Sequence, residues 1–581
     1  MTPDVWAPLA ERVEVVLDDG SRHALRPDAA TGWHRGGPQL AHGQRYAFSL
    51  DGGEPLPDPR SSWQPDGIHA FSAARDPGRF AWTDDRWHGF HLPGAVLYEL
   101  HIGTFTTEGT FDAAIDRLDH LVDLGIDAIE LLPVAAFAGE RGWGYDGVLL
   151  YAAHHRYGGP DGLHRLVDAC HRRGLGVVLD VVYNHLGPQG NHLPRFGPYF
   201  HDAHHTLWGS AINLDGAQAD EVRRFIIDNA RHWLDDFHFD GLRIDAIHAL
   251  VDDSAIHLLE QLAGEVSALG AALGRKLWLI AESDRNETRP VLPVEAGGFG
   301  LDAVWSDDLH HAIHAALTGE TDGYYADFGS LTDVARALEH VFVHGGERSS
   351  FRQRVHGRSV GALDRHRFVV CAQNHDQIGN RAIGDRLSHI AGPEGAMAAA
   401  AIVLCSPFVP LLFQGEEWAS SSPFPYFADV DDPELAAAIR GGRHEEFAAF
   451  GWDPDDVPDP LSEATARSAT LAWEELAKEP HATVLAFVRS LLRLRRARPD
   501  LTDGRPHTVA ATADDDERWL VLRRPRTAAV LNRAAAVRSL GPHALGGEPS
   551  EVLAASHPGV SLGSGATVEL PPFATAVVAV S

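Results

Sequence analysis

The chain has 581 residues, of which 44% are apolar and 22% charged, and its net charge is −32. That length exceeds a single hydrophobic core and predicts two to four domains of an ordinary soluble globular protein. The negative charge argues against nucleic acid and anionic membrane as partners and permits a neutral ligand.

Three cysteines, Cys170, Cys371 and Cys405, are widely spaced in apolar surroundings. They read as reduced core residues rather than a disulfide framework or metal site. The opening stretch MTPDVWAPLAERVEVVL has no basic region followed by an apolar core, and no run reaches membrane-spanning length. No signal peptide or membrane partner is expected, and the expected location is cytoplasmic.

Residues 1–90 are rich in Gly, Pro and Trp, with short alternating runs such as VEVVL and RYAFSL broken by DDG and DGGEP. This pattern predicts an N-terminal β-sandwich. Trp33, Trp63, Trp82 and Trp87 read as core or interface packing rather than sugar platforms.

From Val96 apolar strand runs alternate with helical patterns. The runs are VLYEL, IDAIELLPV, LGVVLDVVYNH, FDGLRIDA, KLWLIAES, LDAVWSDD, RFVVCAQNHD and PFVPLLFQGEE. Between the third and fourth, Val222, Phe225, Ile226, Ala230, Trp233 and Leu234 recur at helical spacing over 219–237. Eight strand–helix repeats predict an α/β fold, a (β/α)8 TIM barrel over 91–500 with its site at the C-terminal ends of the strands. Insertions are expected at 186–216 and 312–365, and a further excursion at 423–468. The histidines of the first insertion, including His201, His204 and His205, lack a firm ligand spacing and read as a solvated loop. A Leu- and Arg-rich helix at 482–498 precedes Val-rich runs that predict a C-terminal all-β domain over 501–581.

The chemistry is concentrated where three strand runs end in carboxylates: Asp245, Glu282 and Asp376. Burying three charges in separate strand ends is costly, so a shared site at one barrel rim is the simpler account. Alternation places Leu242 and Ile244 on one strand face and Arg243 and Asp245 on the other. A neighbouring cation favours the ionised form of Asp245, as a nucleophile requires. An apolar strand and neighbouring carboxylates raise the pKa of Glu282, as a general acid requires. Asp376 is placed to stabilise positive charge on a sugar ring. Two carboxyl groups split in this way are the requirement for breaking a glycosidic bond. Asn184 and His185 add polar groups at the same rim, Asp180 reads as an orienting group, and Trp143 and Tyr145 offer aromatic faces to a sugar.

The motifs DVVYNH (180–185), GLRIDAIH (241–248), the strand end at Glu282 and NHD (374–376) together resemble the α-amylase family of glycoside hydrolases, family 13. The resemblance implies Asp245 as nucleophile, Glu282 as acid/base and Asp376 as transition-state stabiliser. It implies that Arg243, His185, His375 and Tyr145 bind the sugar, and Trp143 and His248 are expected to bind it beside them. Within the family, DVVYNHLGPQGNHLP, WGSAINLDG and WLIAESDRNE resemble the trehalose-releasing members. The implied substrate is therefore maltooligosyl trehalose or a related α-glucan, cut at the α-1,4 bond next to the terminal trehalose with retention. Glycogen branching or debranching is the alternative. No cofactor is expected. The loop LGPQGNH has few carboxylates, so no structural calcium is expected either. The sequence sets no oligomeric state.

Overall fold

The computed structural model describes residues 1–206, 209–448 and 457–581. Its centre is a closed barrel of eight parallel strands. They are β1 (Leu97–Leu100), β2 (Ala128–Leu131), β3 (Gly176–Val181), β4 (Gly241–Ile244), β5 (Trp278–Ala281), β6 (Ala303–Trp305), β7 (Phe368–Cys371) and β8 (Val409–Phe413). Each predicted run contains one of them. β8 pairs with β1 and closes the cylinder, with Leu411 opposite Leu97.

The period-2 alternation of the strands sorts their residues by depth. Leu97, Ala128, Val178, Ile280, Ala303, Val369 and Val409 form one compact apolar cluster. Two residues further along β1 to β4 stand Glu99, Glu130, Asp180 and Arg243, all buried. The cylinder is thus apolar at one end and charged at the C-terminal end of its strands, the end from which such barrels act. The alternate positions, Leu242, Ile244, Leu179 and Ile129, face outward into the large core shared with the helices.

The predicted helix over 219–237 is α-helical over Ala219–Arg231 and continues as a wider π-helical turn over His232–Asp236. The predicted Leu- and Arg-rich helix, the final helix before the C-terminal sheets, spans His481–Ala497. The first insertion forms a short helix, Leu193–Phe196, and an antiparallel pair, Phe200–Thr206 with Gly209–Ile212. The second contains the helix Leu331–His340 and a small pair, Arg348–Ser349 with Arg354–Val355. The excursion expected at 423–468 includes the helix Pro433–Ala448, and its stretch 449–456 lies outside the described residues.

Before the barrel lie a five-stranded sheet containing Val13–Leu17 and Arg45–Leu50 and a three-stranded sheet containing Val5–Trp6 and Trp33–Arg35. After it, a five-stranded sheet faces a three-stranded one across Val521, Val530, Leu540, Val568 and Val578. The early tryptophans pack toward the barrel. Trp33 Nε1 donates to Glu221 (3.1 Å), Trp87 Nε1 donates to Asp240 (2.7 Å), and Trp82 stacks on His238 at 3.7 Å. All three cysteines are buried and free.

One helix, Leu387–Cys405, departs from the expectation that no run reaches membrane-spanning length: its 19 residues suffice by length and composition. It is kinked at Gly392 and Pro393, and its second half, Met397–Cys405, is buried against the final helix. Arg495 of that final helix fixes the junction. It is fully buried and donates to the carbonyls of Leu404 (3.0 Å), Ser406 (2.9 Å), Leu501 (3.2 Å) and Phe408 (2.7 Å). Leu404 and Ser406 lie at the end of the kinked helix, Phe408 just ahead of β8 and Leu501 after the helix that carries Arg495, and each carbonyl loses a donor if the guanidinium is removed. Arg495→Met is expected to lower the unfolding free energy by on the order of 3 kcal/mol, read as a reduced urea midpoint at unchanged slope.

Candidate active site

The site begins with Arg243. Alternation along β4 points it into the barrel, where it is completely buried and needs counter-charges. Its Nη1 donates to Asp245 Oδ1 (2.7 Å) and to both oxygens of Asp180 (3.0 and 2.9 Å). Its Nη2 lies 3.6 Å from Glu282 Oε2. The guanidinium also sits 4.4 Å from the ring centre of Trp305, which supplies a cation–π face. Asp180, Asp245 and Glu282, from the ends of β3, β4 and β5, therefore meet on one cation.

The two carboxylates of the proposed acid–nucleophile pair have different surroundings. Asp245 receives Arg243 on Oδ1 and the Asn184 side-chain amide on Oδ2 (2.8 Å), so both oxygens are met by donors. Among the described residues Glu282 takes the Ala246 backbone N–H on Oε2 (2.5 Å). Burial pushes the Glu282 carboxyl up, Arg243 opposes, and Asp245 and Asp376 reinforce the rise. One carboxyl is thus met by donors on both oxygens and the other is biased toward its proton.

Backbone geometry makes that pairing. β4 ends at Ile244, and Ala246 turns left-handed (φ 41°), an unusual conformation for a residue with a side chain. The turn directs the Ala246 N–H at Glu282, while Ile247 N–H donates to the Glu282 carbonyl (3.0 Å) and Glu282 N–H to the Ile244 carbonyl (3.0 Å). β4 and β5 are laced together at their tips.

A second chain of contacts crosses the barrel. Tyr145 OH donates to Asp180 Oδ2 (2.6 Å), meets His375 Nε2 (2.7 Å) and stacks on that ring at 5.1 Å. His375 Nδ1 pairs with Glu99 Oε1 (2.6 Å), and the His375 N–H donates to Glu99 Oε2 (3.1 Å). Burial alone lowers the pKa of His375, but Glu99 and Asp376 overcome it and carry the imidazole up to about 9. Asp376 lies in the first turn of the short helix His375–Gly379, which is capped by the Asn374 side chain, and its side chain is 43% exposed, open to the cleft. His185 contacts the Asn184 side chain and burial lowers its pKa. His248 lies 3.9 Å from Asp284.

Asp245, Glu282, Asp376, Arg243, Asp180, Tyr145, His185 and His375 thus converge at one rim. Trp143 behaves differently from the expectation of an open aromatic face. It is 6% exposed, stacked on Phe424 at 5.2 Å and edge-on to His375 at 5.7 Å, so it backs the site as packing. Two residues escaped the sequence reading: Glu99, which charges His375, and Glu130, its register partner on β2. Glu130 is buried with neither oxygen hydrogen-bonded among the described residues, and burial with Glu99 beside it raises its carboxyl well above the usual range. A carboxylate inside an apolar strand run was the available signal for both.

Residues 76–195 match the α-amylase catalytic-domain family. A malto-oligosyltrehalose trehalohydrolase of Arthrobacter ramosus is 54% identical over 85% of this chain and 87% of its own length. The chain belongs to the malto-oligosyltrehalose trehalohydrolase family. A relative of the same name from Mycobacterium tuberculosis is 50% identical over 90% of each chain. The crystal structure of a putative α-amylase from Salmonella typhimurium, 37% identical, superposes with a TM-score of 0.90 over 100% of this chain and 97% of that one. Members of this family are glycoside hydrolases, and the barrel with its added all-β sheets is the architecture they share.

His375 gives the fold a pH signature. Its folded pKa of about 9 lies above the unfolded value near 6.5, so its contribution is complete below about pH 6.5 and is lost as pH rises through 9. The stability difference between wild type and His375→Gln is expected to shrink by roughly 2–3 kcal/mol between pH 6.5 and 9.5 in denaturant titrations. A constant difference across that range contradicts a charged His375.

Proposed function

We propose that Asp245, Glu282 and Asp376 hydrolyse the α-1,4-glucosidic bond adjacent to the terminal α,α-trehalose unit of a maltooligosyl chain, releasing trehalose. The observation that carries this reading is the shared guanidinium of Arg243, which hydrogen-bonds Asp245 beside a carboxyl biased toward protonation. The names of the 50–54% identical relatives supply the substrate. The α-glucan is neutral, as the net charge of −32 permits.

In the first step Glu282 protonates the leaving glycosidic oxygen while Asp245 attacks the anomeric carbon from the opposite face, forming a glycosyl-enzyme. Trehalose departs. Glu282, now ionised, takes a proton from water, which attacks the same carbon and frees Asp245, so configuration is retained. Asp376 stabilises the oxocarbenium-like charge that develops between these states. Arg243 moves with neither proton: it holds Asp245 in place and offsets the negative charge left on Glu282 when that carboxyl gives up its proton. Tyr145 and the charged His375, tied to each other and to Asp180 and Glu99, form the wall of the cleft beside Asp376.

A pocket beyond Glu282 supports the leaving-group assignment. Asp284, Asp307, His311, Tyr324, Phe351 and Arg352 line it, combining hydrogen-bonding groups with aromatic faces, as sugar recognition needs. Tyr324, Phe351 and Arg352 come from the second insertion, so this barrel's own elaboration shapes the place where trehalose sits.

Incubation with maltopentaosyl trehalose is expected to give free trehalose and maltopentaose, with the new reducing end appearing first as the α-anomer by NMR. New α-1,6 linkages, or linear chains cut from amylopectin branch points, contradict the reading. Asp245→Asn is expected to lower kcat roughly a thousandfold or more with the fold intact by circular dichroism.

A further inference from the structure

The first insertion holds a group of side chains that the glycosidase chemistry does not use. His201 and His204 lie on the hairpin strand Phe200–Thr206, and Asp215 follows the second strand, Gly209–Ile212. One potential ligand atom from each lies within 4.8 Å of the others. We propose that His201, His204 and Asp215 form a binding site for a divalent transition ion of the zinc class, which pins this hairpin to the loop after β4.

Spacing alone hides the site. Residues three apart on a regular strand point to opposite faces. Here the register of the hairpin slips between His201 and His205, and such a bulge re-aims side chains. The two imidazoles come onto one side with ring centres 4.8 Å apart. Gly216 makes room for them: a Cβ there would stand 2.7 Å from the His201 ring. The sequence reading of these histidines as a solvated loop rested on spacing alone, which the bulge makes uninformative.

The donor set defines the ligand. Two imidazoles and one carboxylate suit zinc, with a water completing four-coordination, and are a poor match for calcium or magnesium, which take oxygen ligands. Two ligand atoms on one tetrahedral zinc stand roughly 3.3 Å apart, from bond lengths near 2.05 Å. His204 Nε2 and Asp215 Oδ2 are 3.8 Å apart and no pair of the three exceeds 4.8 Å, so closing on the ion asks for about half an ångström in that pair and at most about 1.5 Å in the others. Asp215 is already oriented from behind, because its Oδ2 accepts the Asp253 N–H (2.8 Å). His201 Nδ1 accepts the Ala203 N–H (3.1 Å), so binding through Nε2 moves the ring proton to Nδ1 and breaks that one neutral hydrogen bond. Asp253 belongs to the segment joining β4 to the helix Leu258–Leu273, which starts just beyond Asp245 and His248. An ion here would brace a hairpin of the first insertion against the segment that carries the nucleophile.

The test uses the full chain freed of metal with a chelator and titrated with zinc chloride by calorimetry, then with cobalt(II) followed by visible absorption. The expected result is one zinc per chain and the intense d–d bands of a tetrahedral cobalt site. His204→Ala and Asp215→Asn are each expected to weaken zinc binding at least tenfold, while His205→Ala on the same hairpin leaves it unchanged. Circular dichroism and trehalose release by His204→Ala confirm that the fold persists. Absence of binding at millimolar zinc, equal affinity in wild type and both ligand variants, or an octahedral cobalt spectrum overturns the proposal.

Discussion

A single buried cation organises the charged end of the barrel. Arg243 has no solvent contact, and taking a guanidinium out of water is tolerable only where acceptors surround it. Asp180 meets it from β3, Asp245 from its own strand, and the indole of Trp305 covers it from β6. Each partner is then constrained in turn. Asp180 is fixed by Tyr145, Tyr145 touches His375, and His375 is held by Glu99 on β1. The network spans the barrel, so its geometry depends on closure of all eight strands rather than on any one loop.

The same cation explains how neighbouring acids take opposite roles. Asp245 has a donor on each oxygen, whereas Glu282 has a single backbone amide and a guanidinium edge 3.6 Å away. The difference of donors is small in number but decisive in effect, because each charge-assisted bond in a dry site is worth about twice a neutral one. His375, kept positive by Glu99, adds a fixed charge across the cleft.

Much of this was legible because it follows from strand alternation. The period of two put Arg243 and Asp245 on one face of β4, and carboxylates at three strand ends implied a common rim. The eight apolar runs announced the barrel because parallel strands buried on both sides leave no room for polar interruptions. Glu99 and Glu130 were missed for the same reason, since a carboxylate in the middle of such a run looks like noise until its neighbours across the cylinder are known. Trp143 looked like an open face because sequence does not show Phe424 arriving from far along the chain to cover it. The grouping of His201 and His204 depends on a register slip, and the turn at Ala246 on a left-handed backbone. Neither leaves a mark in residue type: the first is set by how two strands pair, the second by what Glu282 requires of the amide beside it.

That left-handed alanine has a further consequence. The distance between the attacking and the protonating group is governed by one peptide unit bridging adjacent staves of the cylinder, not by the crown of insertions above it. Those insertions are therefore free to diverge in length and composition while the reaction itself stays unaltered. A scaffold of this kind can change which glucan it accepts, and what it leaves behind, without ever renegotiating how the bond is broken.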